Sequence, residues 1–75
     1  MSEQTIRVQM IWVNGESEPL GAVTLEALLA EKAGDTMQRG IAVALNGSVV
    51  PRAAWRVTVL RAGDSVEIVR ARQGG

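Results

Sequence analysis

The chain has 75 residues, 47% of them hydrophobic, with eight basic and eight acidic side chains and a formal net charge of zero. That length supports one domain with a modest core, and the apolar fraction argues against a disordered chain. Zero net charge argues against nucleic-acid binding, which needs a basic face to displace counterions. The chain has no Cys and no His. This excludes disulfides, a thiol nucleophile, a zinc–thiolate site and the commonest general acid–base. Phe and Tyr are also missing, which leaves only Trp12 and Trp55 as aromatic platforms. No apolar run reaches the roughly 18 residues that span a membrane, and the polar opening MSEQTIRVQ lacks a signal-peptide apolar region. The expectation is a soluble cytoplasmic domain without catalytic machinery of its own.

Residues 5–13, TIRVQMIWV, alternate with period two and read as a strand. Ile6, Val8, Met10 and Trp12 share one face, and Arg7, Gln9, Ile11 and Val13 the other. Asn14–Gly15 follows, a pair that favours the positive φ angles of a tight hairpin. A second short strand is expected through ESEPL, at a sheet edge because Pro19 cannot donate to a ladder. The stretch VTLEALLAEKAGD predicts one amphipathic helix of about three turns. Thr24 is its N-cap, Glu26 lies in the first turn and Gly34 is the stop. Leu25, Leu28 and Leu29 form its core stripe by their i, i+3, i+4 spacing. DTMQRG connects to a buried-type strand, IAVALNG, which ends in a second Asn-Gly turn at Asn46–Gly47. SVVP returns briefly, RAAW makes one short helical turn, VTVL is extended, and RAGD turns with Gly63 free to take positive φ. The last strand is SVEIVRAR, with Val66 and Ile68 on one face and Glu67 and Val69 on the other.

One main helix against a mixed sheet of four or five strands is an α+β arrangement, and the opening hairpin places it in the ubiquitin-like β-grasp layout. Charge is uneven along it. Residues 1–37 hold Arg7 and Lys32 against Glu3, Glu16, Glu18, Glu26, Glu31 and Asp35. Residues 38–75 hold six arginines, including Arg70 and Arg72, against Asp64 and Glu67.

The run VALNGSVVPRAAW followed by LRAGDSVEIVRARQGG resembles the ThiS family of small sulfur-carrier proteins of thiamin biosynthesis. The likeness rests on Asn46–Gly47, Val50–Pro51–Arg52, Trp55, Leu60, Gly63–Asp64, VEIV at 66–69 and the terminal Gly74–Gly75. It runs from about Met10 to the end. Met10 resembles the usual family start, so residues 1–9 are expected as a partly disordered extension, 10–71 as the β-grasp domain and 72–75 as a flexible tail. The VPRxxW segment separates this group from the molybdopterin-type carriers, which share the fold and the terminal glycines.

The resemblance implies a carrier and not an enzyme. An E1-like adenylyltransferase of the ThiF type, using ATP and Mg, activates the Gly75 carboxylate. Sulfur from a cysteine-desulfurase-derived persulfide makes a C-terminal thiocarboxylate, and a thiazole synthase of the ThiG type takes that sulfur. No cofactor is bound to the carrier, and no nucleic acid, membrane or metal is involved. The residue type suits the task, because Gly74 and Gly75, with Gln73 before them, present no bulk to a narrow active site and allow any backbone angle. Alternatives are a carrier for another acceptor (molybdopterin or a tRNA base), a modifier that forms isopeptide bonds, and a β-grasp binding module with no covalent role. Lys32, the only lysine, argues against polymeric tagging.

Five further residues have two readings each. Trp55 is a core lid or a partner contact, and Trp12 is similar. Arg70 and Arg72 are solvated strand positions, or they dock on an acidic surface of the activating enzyme. Asp64, in a Gly-Asp turn, is a turn residue in preference to a metal ligand.

Overall fold

The computed structural model describes residues 9–33 and 40–70. In chain order these form β1 (Met10–Val13), β2 (Glu16–Pro19), α1 (Leu25–Ala33), β3 (Ile41–Leu45), β4 (Ser48–Val49), a 3-10 helix (Arg52–Val57) and β5 (Ser65–Arg70). The five strands make one sheet in the order β2-β1-β5-β3-β4. β1 and β5 run parallel, and every other neighbouring pair is antiparallel. This is the mixed sheet with one main helix that the element order predicts. The first strand begins at Met10 among the described residues, and the Gln9 carbonyl adds one further bond by accepting the Leu20 N–H at 2.7 Å. Residues 5–8 of the expected strand lie outside the described residues, as do Gly34 and most of the connection after it.

Both Asn-Gly pairs form two-residue hairpin turns. Asn14 and Gly15 take φ of 51° and 86°, and Asn46 and Gly47 take 51° and 88°. Two successive positive φ angles match the right-handed twist of the flanking strands, and Asn and Gly adopt them with little strain. The Val13↔Glu16 and Leu45↔Ser48 registers follow from the two-residue loops. β2 lies at the sheet edge, as Pro19 requires.

Helix α1 is nine residues long, about two and a half turns. Thr24 caps it, its Oγ1 accepting the Ala27 N–H at 3.2 Å. Glu26 in the first turn and Lys32 in the last complement the helix dipole. The VTVL segment differs slightly from expectation. The 3-10 helix runs on through Val57, so the extended part starts at Thr58. It pairs with the helix entry: the Leu25 N–H donates to the Thr58 carbonyl and the Leu60 N–H to the Val23 carbonyl, both at 2.9 Å. The start of α1 is thereby held from two sides, by its cap and by this bridge.

The core lies between α1 and one sheet face. It comprises Ile11, Val13, Leu25, Leu28, Leu29, Val43, Trp55, Leu60 and Val66. The three leucines are the stripe that their spacing predicts. Alternation along β1 leaves two candidate faces, and the structure buries Ile11 and Val13. Met10 and Trp12 therefore sit on the opposite face, with Val49 and Val69, and all four are exposed. Trp12, at 47% exposure, is not the core residue that its pairing with Trp55 suggests.

Candidate functional site

The site implied by the sequence is the end of β5 and the residues after it. Gln73, Gly74, Gly75 and Arg72 lie outside the described residues. The structure shows how the strand that carries them is held.

β5 is gripped on both flanks. On one side β3 pairs along it from Leu45↔Val66 to Ile41↔Arg70. On the other side β1 pairs only at Trp12↔Ser65 and Val13↔Val66 before it turns away. Backbone bonds on that flank run from the Trp12 N–H to the Asp64 carbonyl at 2.9 Å and from the Asn14 N–H to the Val66 carbonyl at 2.8 Å. One step further along, the Asn14 side-chain oxygen accepts the Ile68 N–H at 2.7 Å.

The second Asn-Gly turn does a similar job at the start of β5. The Asn46 N–H donates to the Ser65 carbonyl at 2.7 Å, and Asn46 Oδ1 accepts the Ser65 N–H at 2.9 Å. Asn46 Nδ2 donates to Asp64 Oδ1 at 3.0 Å, while Asp64 Oδ2 accepts the Arg61 N–H at 2.8 Å. Asp64 is thus a turn residue, as its sequence context implies, with both carboxylate oxygens engaged. Among the described residues no group of three or more acidic side chains could hold a metal ion.

Arg70 is the last residue of β5 and is exposed. Its register with Ile41, and its alternation with Ile68 and Val66, put it on the helix side of the sheet. An open recess of about 550 Å³ lies there, lined by Val13, Asn14, Glu16, Glu18, Lys32, Ile68 and Arg70. Within it Lys32 Nζ stands 2.6 Å from Glu18 Oε1. The hydrogen bond that Lys32 donates to Glu18, together with the charges of Glu18, Glu31 and Glu16, raises the Lys32 ammonium above its ordinary value of 10.5, against a smaller opposing effect of desolvation. A raised lysine value stabilises the fold wherever the lysine is protonated in both folded and unfolded chains. That contribution is lost as pH rises past 10.5 through the folded value. The melting temperature of Glu18→Gln is therefore expected to fall slightly below that of the parent at pH 8–10, with the gap closing above that range. A gap that stayed constant through pH 11.5 would show that the ion pair is not its source.

Trp55 does not present a free face. It is 3% exposed, and its indole N–H donates to the Val50 carbonyl at 2.9 Å. The Arg52 guanidinium lies over its ring, 5.0 Å from the centroid. It is the core lid, and the VPRxxW segment is a device that seats it. Pro51 enters the 3-10 helix in extended conformation, Arg52 covers the ring, and Val50 accepts from it. A partner-contact role for Trp55 would require its burial to be undone.

Two site features are invisible to sequence reasoning alone. The Asn14 and Asn46 side chains hold β5 as well as form turns. Their only signal is the choice of Asn over Gly or Asp at the first turn position. The exposed strip of Met10, Trp12, Val49 and Val69 is the other, because alternation does not say which face meets the helix.

One main helix packed on a five-stranded mixed sheet, with β1 and β5 parallel at its centre and a Gly-Gly pair following β5 in sequence, defines a ubiquitin-like β-grasp protein. The comparisons are specific. The family model described as the ThiS family matches residues 7–75. The Sulfur carrier protein ThiS of Thermus thermophilus is 39% identical over 66 residues, which cover 88% of this chain and 100% of that protein. The crystal structure of a thiamine biosynthesis protein (ThiS) from Geobacter metallireducens matches with a TM-score of 0.70 at 30% identity, covering 88% of this chain and 99% of that one. The chain belongs to the ThiS family.

Proposed function

We propose that this protein is a sulfur carrier in thiamin biosynthesis, and that its working group is the Gly75 carboxylate. The observation that carries the reading is the family match, which extends through residue 75 and so includes the terminal Gly74–Gly75. The absence of Cys and His from the chain supports the same view, since the protein is then the substrate of its partners' chemistry.

A carboxylate is a weak electrophile. In the proposed cycle a ThiF-type adenylyltransferase, with Mg and ATP, joins the Gly75 carboxylate oxygen to the α-phosphorus and releases pyrophosphate. The terminal sulfur of a persulfide that derives from a cysteine desulfurase then attacks the acyl carbon of the mixed anhydride and displaces AMP. A second thiol cleaves the resulting S–S bond and leaves a C-terminal thiocarboxylate. A ThiG-type thiazole synthase accepts that sulfur. What this chain contributes is presentation. The doubly flanked β5 precedes the reacting end, and glycines at that end keep side chains out of the partner's active site. Use of ATP and persulfide fits a cytoplasmic carrier. Among the described residues no helix is long and apolar enough to cross a membrane.

Intact mass tests the reading. The chain is incubated with its cognate activating enzyme, Mg-ATP and a sulfur donor. The expected product is heavier by the difference between one sulfur and one oxygen. A verified enzyme that yields neither adenylate nor this product would remove the proposal.

A further inference from the structure

β5 is longer than the strand that supports it on one flank. β1 pairs with it only as far as Val13↔Val66, yet β5 runs on to Arg70. On the β3 side the ladder is complete to Ile41↔Arg70. On the β1 side, beyond the Asn14 N–H bond to Val66, the one described contact to the β5 backbone comes from a side chain. Asn14 Oδ1 takes the Ile68 N–H at 2.7 Å, 54 residues away in sequence. The carboxamide oxygen stands where the next ladder carbonyl would be had β1 continued.

The turn itself does not need this bond. A φ of 51° at Asn14 is equally open to glycine, and Gly15 at 86° already takes its own share of the reversal. Asparagine thus does something here that glycine cannot, because it supplies an acceptor from a turn residue. Ile68 lies two residues before the end of β5 and seven before Gly75. A hydrogen bond at that point restrains the backbone of β5 close to its end.

We infer that Asn14 is a positioning residue: its carboxamide extends the β1–β5 ladder by one bond and restrains the end of β5, the strand that precedes Gly75 in the chain. The inference rests on the reading that Gly75 is the reacting end. Its physical content is preorganisation. A strand end restrained on both flanks loses less freedom when an enzyme captures the residues beyond it. The effect belongs in productive binding and not in the chemical step, so it enters through KM with kcat retained.

Two variants separate the turn from the bond. Asn14→Gly keeps positive φ and removes the acceptor. Asn14→Asp keeps a side-chain acceptor and tolerates the same φ. The full-length proteins are assayed by pyrophosphate release with the cognate activating enzyme and Mg-ATP, below the melting temperatures of all three. Amide exchange at Ile68 is followed in parallel. Loss of one hydrogen bond is expected to raise KM for Asn14→Gly by about threefold to tenfold, to leave kcat within about twofold, and to speed exchange at Ile68. Asn14→Asp is expected to restore both KM and protection.

Fast exchange at Ile68 with an unchanged KM would overturn the inference, since the bond would then be lost without consequence. A KM for Asn14→Asp as high as that for Asn14→Gly would overturn it too, because an acceptor would have been restored without effect. A parent protein that releases no pyrophosphate at all would instead remove the reading of Gly75, and this role with it.

Discussion

A chain shortened by Gly75 alone is expected to melt at the same temperature as the full protein and to accept AMP at least a hundredfold more slowly. The first half follows from where the core lies. Each of the nine core residues among the described residues lies between Ile11 and Val66, so none of them goes with residue 75. The second half follows from reach. Each residue adds at most about 3.6 Å to an extended chain. In the proposed cycle, loss of one leaves the new terminal carboxylate that far from the α-phosphorus. Displacements of about 1 Å already cost on the order of a hundredfold in rate. Thermal melting and pyrophosphate release, measured on the same preparation, check both halves. Equal adenylation of the two chains would mean that the terminal carboxylate is not the acceptor.

Trp55→Ala is expected to destabilise the protein by about 3–5 kcal/mol, the range for truncating a buried aromatic. The indole is 3% exposed, packs in the core with Leu25, Leu28 and Leu29, and satisfies the Val50 carbonyl. Its removal opens a cavity and leaves that carbonyl without its donor. At roughly 0.05–0.15 kcal/mol per residue, a domain of this size has a total stability of only a few to about ten kcal/mol. A large share of Trp55→Ala chains is therefore unfolded at physiological temperature. Trp12→Ala is expected to cost no more than about 1 kcal/mol, because nearly half of Trp12 is already in water. Chemical denaturation of the two variants checks the contrast. Equal losses would mean that the two indoles do not differ in burial.

Much of the fold is legible because it is written in neighbouring residues. Asn14–Gly15 and Asn46–Gly47 announce hairpins, since both positions need positive φ and these residue types adopt it most readily. Pro19 marks an edge strand, having no N–H to give to a second neighbour. Thr24, Glu26 and the three leucines describe a capped, one-sided helix. Gly74–Gly75 is equally local. Its lack of bulk is a property of two residues without side chains, and the ThiS family match supplies the context for the role proposed for it.

What remained hidden depends on closing the chain. Alternation along MIWV presents two faces of comparable hydrophobicity, and only the docking of α1 selects Ile11 and Val13 over Met10 and Trp12. The two tryptophans are equally apolar as residues. Trp55 is seated by a 3-10 helix with an acceptor at Val50, whereas Trp12 lands on the sheet face opposite α1 and is exposed.

The asparagines show the boundary most clearly. Their backbone role is short-range and can be read from the pair Asn-Gly. Their side-chain role joins Asn14 to Ile68 and Asn46 to Ser65, across 54 and 19 residues. A dihedral preference belongs to one residue and its immediate neighbours, so the sequence by itself determined the turns, the helix and the glycine end. A hydrogen bond across the sheet exists only once β1, β3 and β5 are side by side, so the tertiary structure alone decided what holds the strand that carries Gly75.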